Sequence, residues 1–382
     1  MSSMIWDGSV TFLINAVAFL GVLTILVFVH ELGHYWVARR NGVRIEVFSI
    51  GFGKELWGRT DRLGTRWKMS LIPVGGYVKF FGEQGPGETV SEALAAMTPE
   101  DRAVAFHAKS VGRRFAIVAA GPLANLLFAF VLLVGLFVTV GQPYSPPEVM
   151  SVVADSAAEE AGFRPGDRIV RIDDDEIERF EQMKIIIGMA AGQRLTIVVV
   201  RDGAEVTLVV TPRLVEVEDP IGGTQQVGRL GVSGTGAEYR RLGPVAASWQ
   251  AVRQMVTFVE LTGKALGQMI AGTRSAQELR GPLGIAQISG KMVQFGVVPT
   301  IWFLALFSIN LGLINLFPIP VLDGGHLVFY TIEAIRGKPV GERVQDYSYR
   351  IGLALVLSLM IFATWNDLVQ FKFFEFLSGL FS

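Results

Sequence analysis

Two histidines and a glutamate stand at the end of a long apolar run near the start of the chain. They are His30, Glu31 and His34, in the stretch VFVHELGHYW at residues 27–36. They come directly after the apolar residues 10–29. Residues four positions apart share one face of a helix, so both imidazoles can bind one metal ion while Glu31 points toward an open coordination position. This spacing predicts His30 and His34 as metal ligands and Glu31 as the group that moves protons when water attacks an amide carbonyl.

Zinc is the metal that this pattern favours. The chain has no cysteine, so any metal must be held by nitrogen and oxygen ligands. Imidazole binds zinc well, and zinc lowers the pKa of a bound water to ~7. The alternative is a pair of solvent-facing histidines at a membrane surface, but a chance HExxH is expected only about two times in a thousand chains of this size.

A third ligand is predicted far along the chain, in NLFPIPVLDGGH at residues 315–326. Pro318 and Pro320 lack backbone N–H groups and break the apolar run around them, while Gly324 and Gly325 permit close backbone approach. Irregular backbone at membrane depth is tolerated where it is buried in protein or lines a wet cavity. We therefore expect Asp323 to complete a zinc site with one open position.

The other two histidines have weaker assignments. His326 competes with Asp323 as the third ligand, but a supporting imidazole or a helix-start residue is favoured, because metal-bound carboxylates are commonly held by such partners. His107 lies in a polar amphipathic stretch and is expected to be a surface residue.

The composition indicates a membrane protein. Of 382 residues, 51% are hydrophobic and 18% are charged, whereas soluble domains carry nearer a quarter of charged residues. The 34 basic and 35 acidic residues nearly balance, so no nucleic-acid partner is expected. The lipid bilayer is the expected environment.

Four segments have the length and apolar character of membrane spans, at residues 10–29, 115–140, 297–322 and 351–365, the last being short. The first resembles a signal peptide only in hydropathy, because residues 1–10 contain no Lys or Arg and HELGH replaces a cleavage site. We predict a polytopic α-helical membrane protein with about four transmembrane helices, the first of them retained.

The basic residues predict the orientation of these spans. Thirteen fall between Arg39 and Arg114 and four between Arg336 and Arg350, and such residues favour the cytoplasmic side. Both termini should therefore face outward, with HELGH near the cytoplasmic end of the first span.

Two polar regions complete the predicted organisation. Residues 44–82 alternate in hydropathy between glycines, which predicts strands with glycine turns that dip into the membrane surface. Residues 146–213 predict a helix over 180–189 and a hairpin turn at Asp202-Gly203, and the run AGFRPGDRIVRIDD resembles PDZ domains of bacterial proteases. The predicted domains are 1–40 (first span), 41–114 (β region and amphipathic stretch), 115–141 (second span), 146–235 (inserted extracytoplasmic PDZ domain of α+β type), 240–292 (amphipathic helices), 297–335 (third segment) and 351–382 (fourth span and interfacial tail).

The motifs together resemble one protease family. HELGH, GFGKELW, LIPVGGYVKF, GPLAN and NLFPIPVLDGGH occur in this order across essentially the whole chain. This set resembles the site-2 protease family of intramembrane zinc metalloproteases, in its bacterial branch of regulator of sigma-E proteases.

The resemblance implies roles for particular residues. It makes His30, His34 and Asp323 zinc ligands and Glu31 the catalytic glutamate. It also implies a membrane-associated β-hairpin whose edge binds unwound substrate as an added strand, which would replace the hydrogen bonds lost from a substrate helix. The substrate-binding residues implied are Asn315, Pro318, Pro320, Gly75, Gly76 and Tyr77.

The resemblance further implies a partner and a location. The substrates would be single-span membrane proteins, in particular anti-sigma factors already trimmed by a first protease, together with remnant signal peptides. The protein would lie in the bacterial inner membrane, with both termini and the PDZ domain in the periplasm. One departure concerns the PDZ region, because enterobacterial forms carry two tandem PDZ domains and this chain shows one, which puts a size filter built from the pair in doubt.

Two other classes of function compete with the protease interpretation. A non-catalytic PDZ-bearing scaffold derived from a protease would be favoured by loss of a ligand or of the glutamate, and all four residues are present. A metal transporter would distribute polar residues through several spans, whereas here they cluster at one depth. The protease interpretation is therefore the leading one.

Overall fold

The computed structural model describes residues 2–82, 90–218, 224–235, 238–272, 275 and 279–371. Within these residues, four helices are long and apolar enough to cross a membrane: Thr11–Arg40, Val111–Thr139, Val297–Leu316 and Glu342–Gln370. The prediction of about four spans is confirmed. The predicted interfacial tail after Phe371 lies outside the described residues.

Eleven helices occur in the described part of the chain. They are α1 (Ser2–Arg40), α2 (Val90–Ala96), α3 (Pro99–Val104), α4 (Val111–Thr139), α5 (Ala157–Glu160), α6 (Phe180–Met189), α7 (Pro244–Ile270), α8 (Pro282–Phe295), α9 (Val297–Leu316), α10 (Asp323–Arg336) and α11 (Glu342–Gln370).

The same residues form twelve strands, most of them short. They are β1 (Ile45–Thr60), β2 (Arg66–Phe80), β3 (Gln142–Tyr144), β4 (Ser151–Val152), β5 (Arg168–Ile172), β6 (Asp175–Glu176), β7 (Leu195–Arg201), β8 (Ala204–Val210), β9 (Arg213–Glu218), β10 (Thr224–Arg229), β11 (Val232–Ser233) and β12 (Glu238–Arg240).

The chain divides into two compact units. The first unit comprises the residues up to Gly135 and those from Ser248 onward, and the second unit is Leu136–Ala247. The first unit contains the helices long enough to span a membrane, apart from the last residues of α4. The second unit contains strands β3 to β12.

Helix α1 and the sheet that follows it form the core around HELGH. The helix stops after Arg40, where Gly42 takes a left-handed conformation with φ of 70°, and β1 then turns back toward it. Phe48 of β1 is buried, with its ring stacked on Trp67 at 4.3 Å and edge-on to Tyr35 of α1 at 5.8 Å. These aromatic contacts fix the sheet against the helix that carries the histidines.

Strands β1 and β2 are strongly bent, so their halves form four neighbouring segments. The first half of β1, residues 45–50, lies between two segments of β2 and pairs with residues 76–80 on one side and residues 66–69 on the other. Residues 57–60 of β1 pair with the remaining side of residues 66–69. Segment 76–80 is therefore at an edge, with no further strand beside it among the described residues. The predicted strands over residues 44–82 are confirmed, with the bend as the unpredicted feature.

The third span is shorter than predicted. Helix α9 ends at Leu316, because Phe317 is extended (ψ of 144°) before Pro318, and the segment predicted to continue to residue 322 is instead an irregular turn. Helix α10 then begins at Asp323. Cβ atoms added to Gly324 and Gly325 would lie 2.2 and 2.4 Å from carbonyl oxygens of this turn, so both glycines are required for its close approach.

Helix α9 also packs closely on α4. The Ser308 hydroxyl donates to the Asn125 carbonyl at 2.8 Å, and a Cβ on Gly312 would lie 3.0 Å from the Pro122 carbonyl oxygen. Small residues thus let the two helices approach, as is common between apolar helices.

Helix α8 is capped by a residue of another helix. The fully buried carboxylate of Asp367 in α11 accepts hydrogen bonds from the backbone N–H groups of Gly281 and Gly284, both at 2.9 Å. These are N–H groups at the start of a helix, which attract negative charge. The region 240–292, predicted as one or two amphipathic helices, contains α7 and most of α8, and the short fourth span is a helix of 29 residues, α11.

The second unit has its own core between a four-stranded sheet and α6. The sheet has the order β6-β5-β7-β8, and Ile169, Ile197 and Met183 are among the residues buried between it and the helix. The predicted helix over 180–189 is confirmed, and so is the hairpin turn, in which Asp202 and Gly203 both have positive φ.

Candidate metal centre

Three donor atoms from two distant parts of the chain converge on one point. His30 Nε2 lies 3.2 Å from His34 Nε2, and Asp323 Oδ2 lies 3.0 Å from the first of these nitrogens and 3.5 Å from the second. His30 and His34 are on successive turns of α1, and Asp323 is the first residue of α10. The structure therefore brings together the three residues that the sequence predicts as ligands.

The donor set fits zinc. A tetrahedral ion with bonds of ~2.0–2.1 Å holds its ligand atoms about 3.3 Å apart, close to all three distances. Asp323 Oδ2 is also buried with no hydrogen-bond partner, despite its short distance to His30. An unpartnered buried carboxylate oxygen is costly, whereas one facing a metal with two imidazoles is satisfied.

Each imidazole is oriented through its other ring nitrogen. His34 Nδ1–H donates to the carbonyl of Ile117 in α4 at 2.9 Å. His30 Nδ1 is hydrogen-bonded to the side-chain amide of Asn125, also in α4, at 3.2 Å. Such partners fix the ring and leave Nε2 free to bind a metal.

The Asn125 amide can serve this purpose in one orientation only. With its nitrogen toward His30, its Oδ1 atom is buried without a hydrogen-bond partner. Turning the oxygen toward the ring lets it accept the Nδ1 proton, which leaves the lone pair on Nε2 for the metal. The ligand chemistry of His30 therefore favours this orientation.

Two glycines create the space for the site between α1 and α4. A Cβ on Gly121 of α4 would lie 2.2 Å from His34 Nε2 and 2.9 Å from His30 Cε1. A Cβ on Gly33, the glycine of HELGH, would lie 2.3 Å from the Ala120 carbonyl oxygen. Both positions exclude any side chain, so the helices can approach closely enough for α4 to hold the imidazoles.

Glu31 lies between the ligand group and the sheet edge. Its side chain lines the same cavity as His30, His34 and Asp323. The backbone of Val78 faces its carboxylate, and a Cβ on Gly76 would lie 3.4 Å from Glu31 Cγ. A peptide lying along segment 76–80 would thus pass beside both the glutamate and the metal ligands.

The cavity extends well beyond the ligands. Its volume is about 1060 Å³, and its lining includes Tyr77, His107, Arg114 and His326. The expectation that His107 is a surface residue is wrong, because the loop before α4 folds back over the cavity and half-buries its ring.

The remaining predicted substrate residues are spread around the site. Gly75 and Gly76 precede Tyr77 on β2, but only Tyr77 lines the cavity. Asn315 occupies the last turn of α9, Pro318 is exposed, and Pro320 lies where a Cβ on Gly352 of α11 would contact its ring at 3.1 Å. None of Asn315, Pro318 and Pro320 is in the cavity lining, so their assignment stays a prediction.

Three residues of the site were not assigned from the sequence. Asn125, Gly121 and Ile117 all belong to α4, and the first two lie in the quoted motif GPLAN. The small residues and the lone amide in this otherwise apolar span are the available signal. Their pairing with His30 and His34 becomes visible only when α1 and α4 are adjacent.

Comparison with known proteins agrees with this geometry. The sequence profile described as peptidase family M50 matches residues 18–359. The chain belongs to peptidase family M50. This is the site-2 protease family, so the family resemblance of the motifs is confirmed.

Several named relatives support the same family. A Rhizobium meliloti protein named as a zinc metalloprotease is 44% identical over 92% of this chain and 95% of its own length. Metalloprotease MmpA of Caulobacter vibrioides is 38% identical, over 97% of this chain and 99% of its own. The regulator of sigma-E protease RseP of Salmonella typhimurium is 35% identical, over 96% and 99%. The family and these names support a membrane metalloprotease that uses zinc.

Proposed function

We propose that the chain is a zinc-dependent intramembrane endopeptidase in which His30, His34 and Asp323 bind the ion and Glu31 is catalytic. The observation that carries this proposal is the convergence of three donor atoms, 3.0 to 3.5 Å apart, with a buried carboxylate oxygen that has no hydrogen-bond partner. When bound, zinc would supply Lewis-acid activation of water and of the substrate carbonyl.

The side chains around the ion have separate tasks. Glu31 takes a proton from the attacking water at its carboxylate and transfers it to the leaving nitrogen of the cleaved peptide bond. Asn125 and the Ile117 carbonyl hold the two imidazoles in the tautomer that leaves Nε2 unprotonated.

The edge of the bent sheet is the proposed binding surface for substrate. A peptide bond inside a helix is shielded by its own hydrogen bonds, so the substrate must unwind before it is cleaved. Segment 76–80 is an edge segment of the sheet beside Glu31, and an added strand there would restore backbone hydrogen bonds in an apolar environment. The proposed substrate contacts are those of Gly75, Gly76, Tyr77, Asn315, Pro318 and Pro320.

The proposed substrates are single-span membrane proteins, in particular anti-sigma factors already trimmed outside the membrane, and also remnant signal peptides. The similarity to a regulator of sigma-E protease motivates this choice. We further propose a bacterial inner-membrane location with both termini outside and the metal centre near the cytoplasmic side, because basic residues concentrate between Arg39 and Arg114. The second unit would be a periplasmic PDZ domain that discriminates trimmed from intact substrates.

Cleavage of a truncated single-span anti-sigma substrate by purified protein in detergent tests the proposal. The wild type should cleave it, and Glu31→Gln should lose cleavage by at least about 10²-fold while retaining zinc, because the glutamate moves protons and does not bind the ion. The untrimmed substrate should be cleaved more slowly than the trimmed one. Glu100→Gln, an exposed glutamate of α3, is the matched control and should behave as the wild type.

Two results would contradict the proposal. Equal cleavage by wild type and Glu31→Gln would remove the glutamate from the chemistry. No bound zinc in either protein would remove the metal, and the motif would then belong to a scaffold that has lost its activity.

A further inference from the structure

All four histidines of the chain line one cavity. His30 and His34 are zinc-ligand candidates, while His107 comes from the loop before α4 and His326 lies one turn after Asp323 on α10. Histidine is the commonest metal ligand in proteins, and four of four in one cavity is a strong concentration of such groups. The second pair has no role in the proposed hydrolysis.

The lining of the cavity ranges from exposed to buried residues. Pro339, before α11, and Glu342 and Arg343, in its first turn, are exposed. His30 and His34 are buried, with exposed fractions of 9% and 8%. His107 and His326 have intermediate exposure.

The second pair of imidazoles differs from the first in its bonding. Neither His107 nor His326 forms a hydrogen bond with another residue in the described part of the chain, whereas His30 and His34 each have an orienting partner. Burial, together with the nearby positive charges of Arg114 and His326, lowers the pKa of His107 to about 4. His107 is therefore neutral at physiological pH, the state in which imidazole binds metals.

Two charged groups of the cavity are already paired with each other. The Arg114 guanidinium donates to the Glu333 carboxylate at 2.6 Å, and both side chains are largely buried. Much of the remaining wall is apolar, with Phe106, Phe329 and Val340 among its residues. A divalent cation that crosses this cavity loses part of its hydration and needs replacement ligands on the way.

We propose that His107 and His326 form a transit route by which Zn²⁺ passes from the cavity mouth to the metal centre. This inference rests on the proposed function, because His30, His34 and Asp323 are its destination. A single imidazole offers one bond and releases the ion readily, while the final group offers three. The ion is thus drawn inward by the increasing number of ligands, and the two transit histidines change how fast it arrives without setting how tightly it is finally held.

The rate of zinc uptake tests the route without any measurement of proteolysis. Full-length protein in detergent is stripped with a chelator and mixed with buffered Zn²⁺, and uptake is followed by competition with a fluorescent zinc indicator. His107→Gln and His326→Gln should each take up zinc about tenfold more slowly than the wild type, as expected for loss of one favourable contact along the way. The final zinc content should stay at one ion per chain.

Two further variants separate a ligand role from a structural one. His107→Cys should keep fast uptake, because a thiol at this position can also bind zinc, whereas glutamine cannot bind it well. Phe329→Leu changes the cavity wall without changing a ligand and should take up zinc at the wild-type rate. Slow uptake by Phe329→Leu or His107→Cys would show that packing, not ligation, controls the rate.

The outcomes also distinguish this inference from the proposed function. Wild-type uptake rates in both glutamine variants would overturn the transit route and leave the metal centre intact. Failure of the wild type to bind zinc at all would overturn both.

Discussion

At the scale of single residues, the metal centre depends on the lack of a side chain at one position as well as on its ligand atoms. The imidazoles of His30 and His34 occupy a space that a methyl group on Gly121 would fill. Interiors are packed too densely to accept such an atom without displacement of its neighbours. The glycine is therefore part of the binding geometry although it has no donor atom.

Gly121→Ala is predicted to weaken zinc binding severely. The new Cβ would lie 2.2 Å from His34 Nε2, so at least one imidazole must leave its position. We expect zinc affinity to fall by about 10- to 100-fold or more, the range observed when the support of metal ligands is lost. Equilibrium titration with a competing chelator measures this change.

The matched control is Gly135→Ala on the same helix. A Cβ at that position meets no atom within 4 Å, and alanine favours the helical conformation by about 1 kcal/mol. This variant should bind zinc as the wild type does. Normal zinc affinity in Gly121→Ala would mean that α4 can shift away from the ligands at little cost.

The chemistry of the ligands was predictable from the sequence, but their support was not. The two histidines of HELGH are recognisable as ligands from their helical spacing, and Asp323 is recognisable from the prolines and glycines around it. Asn125 and Ile117 lie in an apolar helix whose rotation about its axis no local pattern specifies. His107 was misplaced for the same reason, since its burial depends on a loop returning over residues distant in sequence.

At the scale of helices and strands, contacts between non-consecutive elements determine the architecture. Helix α8 begins at a carboxylate from α11, and the edge segment 76–80 is created by the bend that folds β1 between the two halves of β2. In both cases the sequence predicted that the elements exist. Neither the cap nor the bend follows from the periodicity of apolar residues, because each depends on hydrogen bonds with another element.

Asp367→Ala is predicted to loosen the first turns of α8. The substitution removes the acceptor of two backbone N–H groups at 2.9 Å, which should cost about 1–2 kcal/mol, as for loss of a helix N-cap. Faster hydrogen exchange in peptides that cover residues 281–290 is the expected result.

Asp346→Ala is a control from the same helix. Its carboxylate pairs with Arg350 at 3.0 Å, but more than half of each side chain is exposed, so the pair contributes less than about 1 kcal/mol. Exchange in α8 should not change in this variant. Unchanged exchange in Asp367→Ala as well would show that packing on neighbouring helices is enough to hold α8.

At the scale of the whole molecule, the chain consists of two units with separate cores. The second unit, Leu136–Ala247, is stabilised by its own sheet and by a buried ion pair between Asp167 of the loop before β5 and Arg201 of β7. Burial alone would raise the pKa of Asp167, but hydrogen bonds from Arg201 and from the Arg164 backbone outweigh it and hold the pKa below its usual value.

Acid is predicted to destabilise the second unit through this pair. A depressed carboxylate pKa contributes stability above the ordinary value of about 4, and that stability is lost as the pH falls through the folded-state pKa. Stability should therefore be nearly constant from about pH 7 to pH 5 and fall below about pH 4. Urea unfolding of the full chain, with pulsed hydrogen exchange of peptides from residues 136–247, measures it.

Arg201→Met provides the comparison for this prediction. It leaves the buried Asp167 carboxylate without its partner, at a cost of about 1–3 kcal/mol at neutral pH, because Arg201 is partly exposed and water can reach the pair. In this variant acid should cause little further loss, because protonation removes an unpaired buried charge. Zinc binding in the first unit should be unaffected, and wild-type stability of the second unit at pH 7 would contradict the role of the pair.

The separation of the ligands along the chain has a consequence for the synthesis of the protein. A ribosome releases His30, Glu31 and His34 well before Asp323, which lies 289 residues after His34. Until then the nascent chain holds two histidines and lacks the aspartate that completes the site. The growing polypeptide thus passes among other newly inserted membrane proteins without a finished catalytic centre, and it acquires one only after Asp323 has been made.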